Sequence, residues 1–310
     1  MNPVQVAVAV IENAQGEFLI AKRPSHLHMG GYWEFPGGKV ESDETVFMAL
    51  QREIREELNL QIDSAVPFIR IPFQYPEKLV VLDVWRVTEY SGEAMPMENQ
   101  LLKWVSFDDL SLYPFPPANR SILTALKLPE RLLITGAFQT AAECLYRTQR
   151  AVERYGIAGV QFRAPHLSVD KYRDIAEQLG AYCEQNNIQF FVNAPSSNGI
   201  CGVTGVHLTT QRLLQQGAIQ REEGLLLSAA CHDDKELAMA LAAAVDFVLF
   251  SPIKLTSSHP DTVAKGWDAL RQFISNCPVP VYALGGMQDD DLVLARQCGA
   301  QGIAAISVWW

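Results

Sequence analysis

No stretch of the chain approaches the run of about 18 uninterrupted apolar residues that a membrane-spanning helix needs, so a membrane span is not expected. Cationic side chains are also in short supply: 25 Lys and Arg stand against 35 Asp and Glu, for a net charge of −10. Gripping a nucleic acid backbone depends on clustered Lys and Arg and on counterion release, so no direct binding to a duplex is expected. A single nucleotide held through bridging metal ions remains compatible with this charge. Cysteine is missing from the first 143 residues, and Cys144, Cys183, Cys201, Cys231, Cys277 and Cys298 show no CxxC spacing. That scatter excludes a zinc cluster or a disulfide framework and leaves the thiols as small core residues. A basic segment followed by an apolar one, the mark of a secretory leader, is lacking too, because Glu12 and Glu17 interrupt the first 20 residues. A cytoplasmic protein is expected.

What is present is ample apolar material. Over 310 residues, 48% are hydrophobic and 19% charged, enough for two packed cores. The first 128 residues read as strands at 4–11, 17–22, 79–87 and 102–105, with a hairpin turn at Asn13-Ala14-Gln15-Gly16. A helix over 45–58 carries Val46, Leu50, Ile54 and Leu58 on one stripe, and a shorter helix at 119–126 closes the region. From residue 131 the pattern changes to short apolar runs at 132–135, 159–163, 190–193, 205–208, 225–231, 247–252, 279–286 and 302–307, separated by helix-like stretches. Such alternation predicts a (β/α)₈ TIM barrel over 131–310, with an open doubly wound sheet as the alternative.

The segment 38–60 is the richest in chemistry. Glu53, Glu56 and Glu57 share one helical face, where like charges repel unless a cation intervenes. A solvated helix face paired with Arg52 or Arg55 is the bland alternative. It leaves unexplained the Phe35-Pro36-Gly37-Gly38 entry, in which two glycines let the backbone approach a ligand closely. Hard cations such as Mg²⁺ prefer carboxylate and carbonyl oxygens and share their coordination with substrate phosphates.

The spacing resembles the Nudix box: Gly38, five residues, Glu44, seven residues, Arg52-Glu53-Ile54, any residue, Glu56-Glu57, any residue, a glycine and the aliphatic Leu60. Asn59 stands in place of the terminal glycine, a mild departure because Asn tolerates the left-handed conformation of a helix C-terminus. Ile20-Ala21-Lys22-Arg23, His28-Met29, Glu34-Phe35-Pro36-Gly37-Gly38-Lys39 and Phe115-Pro116-Pro117-Ala118-Asn119 extend the likeness to the MutT branch, hydrolases of oxidised guanine nucleotides.

The resemblance implies an N-terminal Nudix α/β/α sandwich with a mixed sheet over residues 1–128. It implies a Mg²⁺-dependent pyrophosphohydrolase, with Mn²⁺ as a substitute ion, that turns 8-oxo-dGTP into 8-oxo-dGMP and pyrophosphate. Such an enzyme clears the nucleotide pool for DNA replication and repair. Glu53, Glu56, Glu57 and the distant Glu98 would hold metal together with the Gly37 carbonyl, and Glu44 and Arg52 would brace the loop and helix. Arg23, His28, Glu34, Phe35, Pro36, Gly37, Gly38, Lys39 and Asn119 would bind the nucleoside triphosphate. An exposed loop carboxylate is the competing reading of Glu98, and a helix N-cap that of Asn119.

An amide suits oxidised guanine because the base presents an acceptor at O6 and a donor at N7. Ordinary guanine has an acceptor at N7, leaving buried groups unpaired at about 1–3 kcal/mol each. The alternatives for the region are a Nudix pyrophosphohydrolase acting on another nucleotide or on a thiamine-pathway diphosphate, and a non-catalytic regulator that senses a ligand.

The last 180 or so residues resemble thiamine phosphate synthases and their thiazole tautomerase relatives at Val160-Gln161-Phe162-Arg163, Val192-Asn193, Gly205-Val206-His207-Leu208, Ala283-Leu284-Gly285-Gly286 and Gly299-Ala300-Gln301-Gly302-Ile303-Ala304. The match implies a candidate site at Arg163, Asn193, His207, His232, Gly285, Gly286 and Ser307, taking a small phosphorylated ligand. Gly285 and Gly286 read equally as a tight strand-to-helix turn, and His232 as a structural residue. Departures are specific: Ala194 and Arg212 stand where the synthases carry magnesium-binding aspartates, His259 where they carry a lysine, and Ala164-Pro165 where a further lysine is expected. Synthase activity is therefore not expected. Trp309-Trp310 suggests packing against a partner or a neighbouring domain.

Overall fold

The structure is a computed structural model that describes residues 3–26, 28–194, 197, 199–214, 221–256 and 263–310. His259 lies outside the described residues. The chain divides into two compact units, Met1–Ala125 and Leu126–Trp310. No helix among the described residues is long and apolar enough to cross a membrane.

The first unit holds β1 (Val4–Val10), β2 (Glu17–Lys22), β3 (Trp33–Glu34), β4 (Gly37–Lys39), α1 (Val46–Leu58), β5 (Gln61–Gln74), β6 (Leu79–Ser91), β7 (Leu102–Ser106) and most of α2 (Pro117–Lys127). A mixed four-stranded sheet runs β4-β1-β6-β5, with β1 parallel to β6 and antiparallel to β4. An antiparallel sheet runs β3-β2-β7.

The turn at 13–16 forms, held by the Asn13 side chain accepting from the amides of Gln15 and Glu17. It does not make a regular hairpin. Its two strands part into different sheets and share only the bridge between Glu12 and Phe18. Helix α1 buries Ala49, Leu50, Ile54 and Leu58 against Ala7, Ala9 and Ile11 of the β1 side, leaving its carboxylates on the other face. Thr45 caps its start by accepting from Met48 N, and Asn59 ends it in the left-handed conformation at φ 57°.

The second unit is a closed barrel of eight parallel strands: β8 (Arg131–Ile134), β9 (Gly159–Phe162), β10 (Gln189–Val192), β11 (Val203–Leu208), β12 (Leu226–Cys231), β13 (Phe247–Phe250), β14 (Val281–Leu284) and β15 (Gly302–Ala305). Helices α3 (Ala141–Tyr155), α4 (Val169–Gln185), α5 (Thr210–Leu214), α6 (Asp234–Ala242), α7 (Gly266–Ile274) and α8 (Asp291–Gln297) alternate with them. The ring closes where β15 pairs with β8, Ile303 opposite Arg131.

Leu132, Ile134, Phe191, Phe247, Leu249 and Tyr282 fill the barrel interior, so it is a packed core rather than a pore. Both C-terminal indoles pack within this unit: Trp309 Nε1 donates to Asp289, and Trp310 Nε1 donates to Ala137 O and sits beneath the Arg147 guanidinium.

Candidate functional site

In the first unit the residues after β3 and the polar face of α1 meet. Gly37 has φ 147°, in the region that favours glycine, and a β-carbon there would overlap the Ala7 carbonyl. Gly38 has a different reason for lacking a side chain: the Glu53 carboxylate occupies the space a β-carbon would fill.

Arg52 is the strut of the loop. Its Nη2 donates to Glu44 at 2.5 Å and to Lys39 O at 3.0 Å, and its Nη1 donates to Glu53 at 2.8 Å. Glu44 also accepts from the Glu41 amide at 2.8 Å, and together these bonds hold its carboxyl below the ordinary range. The loop between β4 and α1 is thereby tied to the helix at its middle rather than at its cap.

Glu57 is half-buried, and its carboxyl is pushed up to about 8. Burial contributes most, followed by repulsion from Glu34, Glu53 and Glu98, against which the Gly37 amide donates to it. Glu98 comes from far along the chain. The segment carrying it is pinned to the end of α1, because Met97 N and Gln100 Nε2 donate to Glu57 O and Met95 N donates to Leu58 O. Glu56 is exposed and 3.7 Å from Arg52.

A divalent ion suits this set chemically: its carboxylates are hard oxygen donors, the charges of Glu34, Glu53 and Glu98 add to burial in raising the half-buried Glu57 carboxyl, and Gly38 clears room for the Glu53 carboxylate. The described residues do not already form a group of three that would hold an ion. Glu53 is drawn onto Arg52 and Glu56 points into solvent, so their grouping around a cation requires side-chain rotation.

The same unit also holds aromatic contacts and a buried amide. Phe35 stacks on Phe115 with centroids 5.6 Å apart. Arg23 pairs with Glu34 and donates from Nε to His28 O at 3.0 Å. Burial raises the Glu34 carboxyl in spite of that pairing. His28 lies edge-on to Tyr75 at 5.1 Å and 3.2 Å from Glu77.

Asn119 is buried and lies inside the first turn of α2, its amide bonded to Pro116 O at 2.9 Å. It is therefore not the residue preceding the helix, which is what an N-cap would require. Pro36 is buried, and Lys39 is exposed, with its carbonyl on Arg52. Tyr75 is a participant that sequence reasoning missed. It takes a hydrogen bond from the Ala118 amide and feels the charges of Arg23 and Glu34, yet lies far from every motif.

In the barrel, Thr135 at the end of β8 exchanges hydrogen bonds with the backbone of Arg163, at 2.8 and 3.1 Å. The Tyr172 hydroxyl donates to Phe162 O and accepts from the Asn193 amide, both at 3.0 Å, tying the ends of β9 and β10 together. His207 is buried in β11 with Nδ1 2.9 Å from Ser228 Oγ of β12. Its ring is pushed down to about 3, first by burial and then by the charges of Arg163 and Arg212.

His232 does not join this group. It is exposed and bonded through both backbone and ring to Glu236, in the cap network of α6 where Asp233 accepts from Glu236 N. Gly285 and Gly286 adopt φ 96° and 68°, and β-carbons on them would overlap Pro252 and the Lys254–Leu255 backbone, so close packing accounts for both. Ser307 is exposed beyond β15.

Comparison with known proteins agrees with both halves. The thiamine monophosphate synthase family matches residues 132–308, more than half the chain, and the Nudix domain family matches residues 7–125. The 8-oxo-dGTP diphosphatase of Escherichia coli (strain K12) is 35% identical over 127 residues, which are 41% of this chain and 98% of that protein. The CTP pyrophosphohydrolase of the same organism is 35% identical over 125 residues, 40% of this chain and 92% of that protein. A putative thiamine-phosphate synthase 2 of Aquifex aeolicus (strain VF5) is 25% identical over 185 residues, 59% of this chain and 99% of that protein.

The chain belongs to the Nudix hydrolases, which act on phosphorus anhydrides, through its first unit and to the thiamine monophosphate synthase family through its second.

Proposed function

We propose that the first unit is a Mg²⁺-dependent nucleoside triphosphate pyrophosphohydrolase that converts 8-oxo-dGTP to 8-oxo-dGMP and pyrophosphate. The observation that carries this reading is the half-buried Glu57 carboxyl, pushed up to about 8 by burial and then by the charges of Glu34, Glu53 and Glu98, beside a glycine loop that Arg52 ties to α1. A bound divalent ion would neutralise phosphate oxygens and lower the pKa of an attacking water. Glu53, Glu56, Glu57 and Glu98 supply the oxygens to hold it, with the Gly37 backbone beside them. Glu44 and Arg52 keep the loop of Gly37, Gly38 and Lys39 in register with α1. Arg23, His28, Glu34, Phe35 and Pro36 shape the base-side cleft.

Support for the oxidised base comes from Asn119, whose buried amide offers one donor and one acceptor to the O6 and N7–H pair. The reading extends to protection of the nucleotide pool used in DNA replication. A second reading, another nucleotide such as CTP, rests on the equal 35% identity to the CTP pyrophosphohydrolase.

Pyrophosphate release from 8-oxo-dGTP, dGTP, CTP and thiamine diphosphate, measured with and without Mg²⁺, tests the proposal. We expect 8-oxo-dGTP to be favoured over dGTP by at least about tenfold, and that preference to vanish in Asn119→Ala. A wild-type enzyme that hydrolyses CTP fastest would install the second reading, and one that releases no pyrophosphate at all would favour a regulator.

A further inference from the structure

Helix α2 begins without a cap of its own. Pro114, Phe115 and Pro116 precede it, none with a side-chain oxygen, and Pro117 at its first position has no amide to give. The first donor of the helix is therefore the amide of Ala118, a residue only 1% exposed. A buried N–H is costly to leave without an acceptor. The next amide, that of Asn119, turns back onto Pro116 O at 2.9 Å. The amide of Ala118 instead finds an oxygen from elsewhere in the unit, the hydroxyl of Tyr75.

Tyr75 stands at the turn between β5 and β6. The turn is closed by its own amide donating to Lys78 O at 2.9 Å and by the Lys78 amide donating back to Tyr75 O at 3.4 Å. Its ring lies 4.9 Å from that of Phe73 and meets the His28 ring edge-on at 5.1 Å. His28 comes from the loop between β2 and β3, where its carbonyl accepts from Arg23 Nε at 3.0 Å. Glu77, from the same turn as Tyr75, reaches His28 Nδ1 at 3.2 Å. Burial raises the Tyr75 phenol in spite of the Ala118 amide and the charge of Arg23, so near neutrality the oxygen is an uncharged hydroxyl.

One side chain thus joins three segments that are distant in sequence: the 23–32 loop, the β5–β6 turn and the first turn of α2. Its two halves do different work. A phenyl ring would keep the contacts to Phe73 and His28, whereas the bond to Ala118 needs the oxygen. Asn119 follows Ala118 in the same turn. An amide that distinguishes a donor from an acceptor on a base discriminates only as well as its own orientation is fixed.

We propose that Tyr75 is a positioning residue for base choice: its hydroxyl caps α2 in place of the missing N-cap and thereby holds the Asn119 amide in register with the base-side residues Arg23 and His28. This rests on the reading of Asn119 as the group that recognises the oxidised base. Tyr75 acts through the helix start and takes no part in the phosphate chemistry, which the carboxylates of α1 supply.

The test compares full-length wild type, Tyr75→Phe, Asn119→Ala and the double variant on 8-oxo-dGTP and dGTP in saturating Mg²⁺. In Tyr75→Phe we expect the ratio of kcat/KM values, 8-oxo-dGTP over dGTP, to fall by about fivefold or more. The loss should come through a higher KM for 8-oxo-dGTP, with kcat and the Mg²⁺ midpoint unchanged within about twofold. In the Asn119→Ala background the same substitution should leave the ratio where it was, because a residue that works only through Asn119 has nothing left to position. Loss of general packing would lower both nucleotides alike in either background.

A readout that needs no variant is amide hydrogen exchange of the wild type. The Ala118 amide should be protected, although first-turn amides lack an intrahelical acceptor. The inference is overturned by a rapidly exchanging Ala118 amide. It is equally overturned if the wild type prefers 8-oxo-dGTP and a folded Tyr75→Phe keeps that preference within about twofold, or if the effects of Tyr75→Phe and Asn119→Ala simply add. A wild type with no preference between the two nucleotides is a different failure: it removes the reading of Asn119, and this inference with it, whatever the exchange data show.

Discussion

Glu57 answers to two influences that pull in opposite directions. Packing and neighbouring carboxylates raise its carboxyl to about 8, so near neutrality it holds a proton, whereas a cation in the same place needs the carboxylate. Ion binding must then release that proton, and affinity for Mg²⁺ should climb as pH rises from 6 toward about 8 and flatten above it. Glu57→Gln should abolish the climb along with at least about a hundredfold of the hydrolysis rate, as read from parallel metal titrations and pyrophosphate release.

His207 behaves in the reverse sense. Its folded value, about 3, lies below its ordinary 6.5, so between those limits the unfolded chain binds a proton that the native barrel refuses. Stability conferred by the neutral ring is complete above about 6.5 and drains away as the solution is acidified toward 3. Urea midpoints at pH 7.5 and pH 5 should differ in the wild type, and the gap should narrow in His207→Gln.

At the level of single elements, α1 shows how far reading the chain could go. Its apolar stripe, Val46 to Leu58, and its carboxylate face were both legible because a 3.6-residue period survives any tertiary context. Even the unusual stop at Asn59 was legible, since few residues tolerate φ 57°. Strand β5 was not: Pro67, Pro72, Asp63 and Ser64 argue against a strand, and only pairing with β6 across two prolines and several register shifts makes it one. The separation of β1 from β2 was equally hidden, because the turn at Asn13 is the same whether or not the strands stay together.

Glu98 could be found only through likeness to a family, because its neighbour Gln100, not any helical or strand period, delivers it to Glu57. Within the Nudix loop the sharpest test is Gly38→Ala. The methyl group would displace the Glu53 carboxylate, so the rate should fall by at least about tenfold while the fold survives, checked by hydrolysis assay and circular dichroism. Asn59→Ala should destabilise the unit by about 1 kcal/mol in denaturant titration, and Asn59→Gly should not.

For the molecule as a whole, the eight alternations after residue 130 were legible as a barrel because each short apolar run is buried on both faces. The chemistry at its mouth was less so: a strand-end Arg, His or Asn looks the same in sequence whether it faces a ligand or is tied up at a helix start, as His232 is by Glu236. The seam between first and last strands leaves no room for a side chain at Gly302. At Gly302 a side chain would collide with the Glu130 carbonyl that receives the Ile303 amide at 3.0 Å. Gly302→Val should therefore cost the barrel about 1–3 kcal/mol or more, seen as an earlier unfolding transition, with nucleotide hydrolysis by the other unit unimpaired.

The same seam dictates a timetable on the ribosome. Every strand of the Nudix unit has left the exit tunnel long before residues 302–305 are made, so that unit is free to fold while translation continues. The ring has no such freedom: until residues 302–305 emerge, β8 and β14 present bare edges, and throughout that interval the barrel strands already made are open to aggregation and to chaperones.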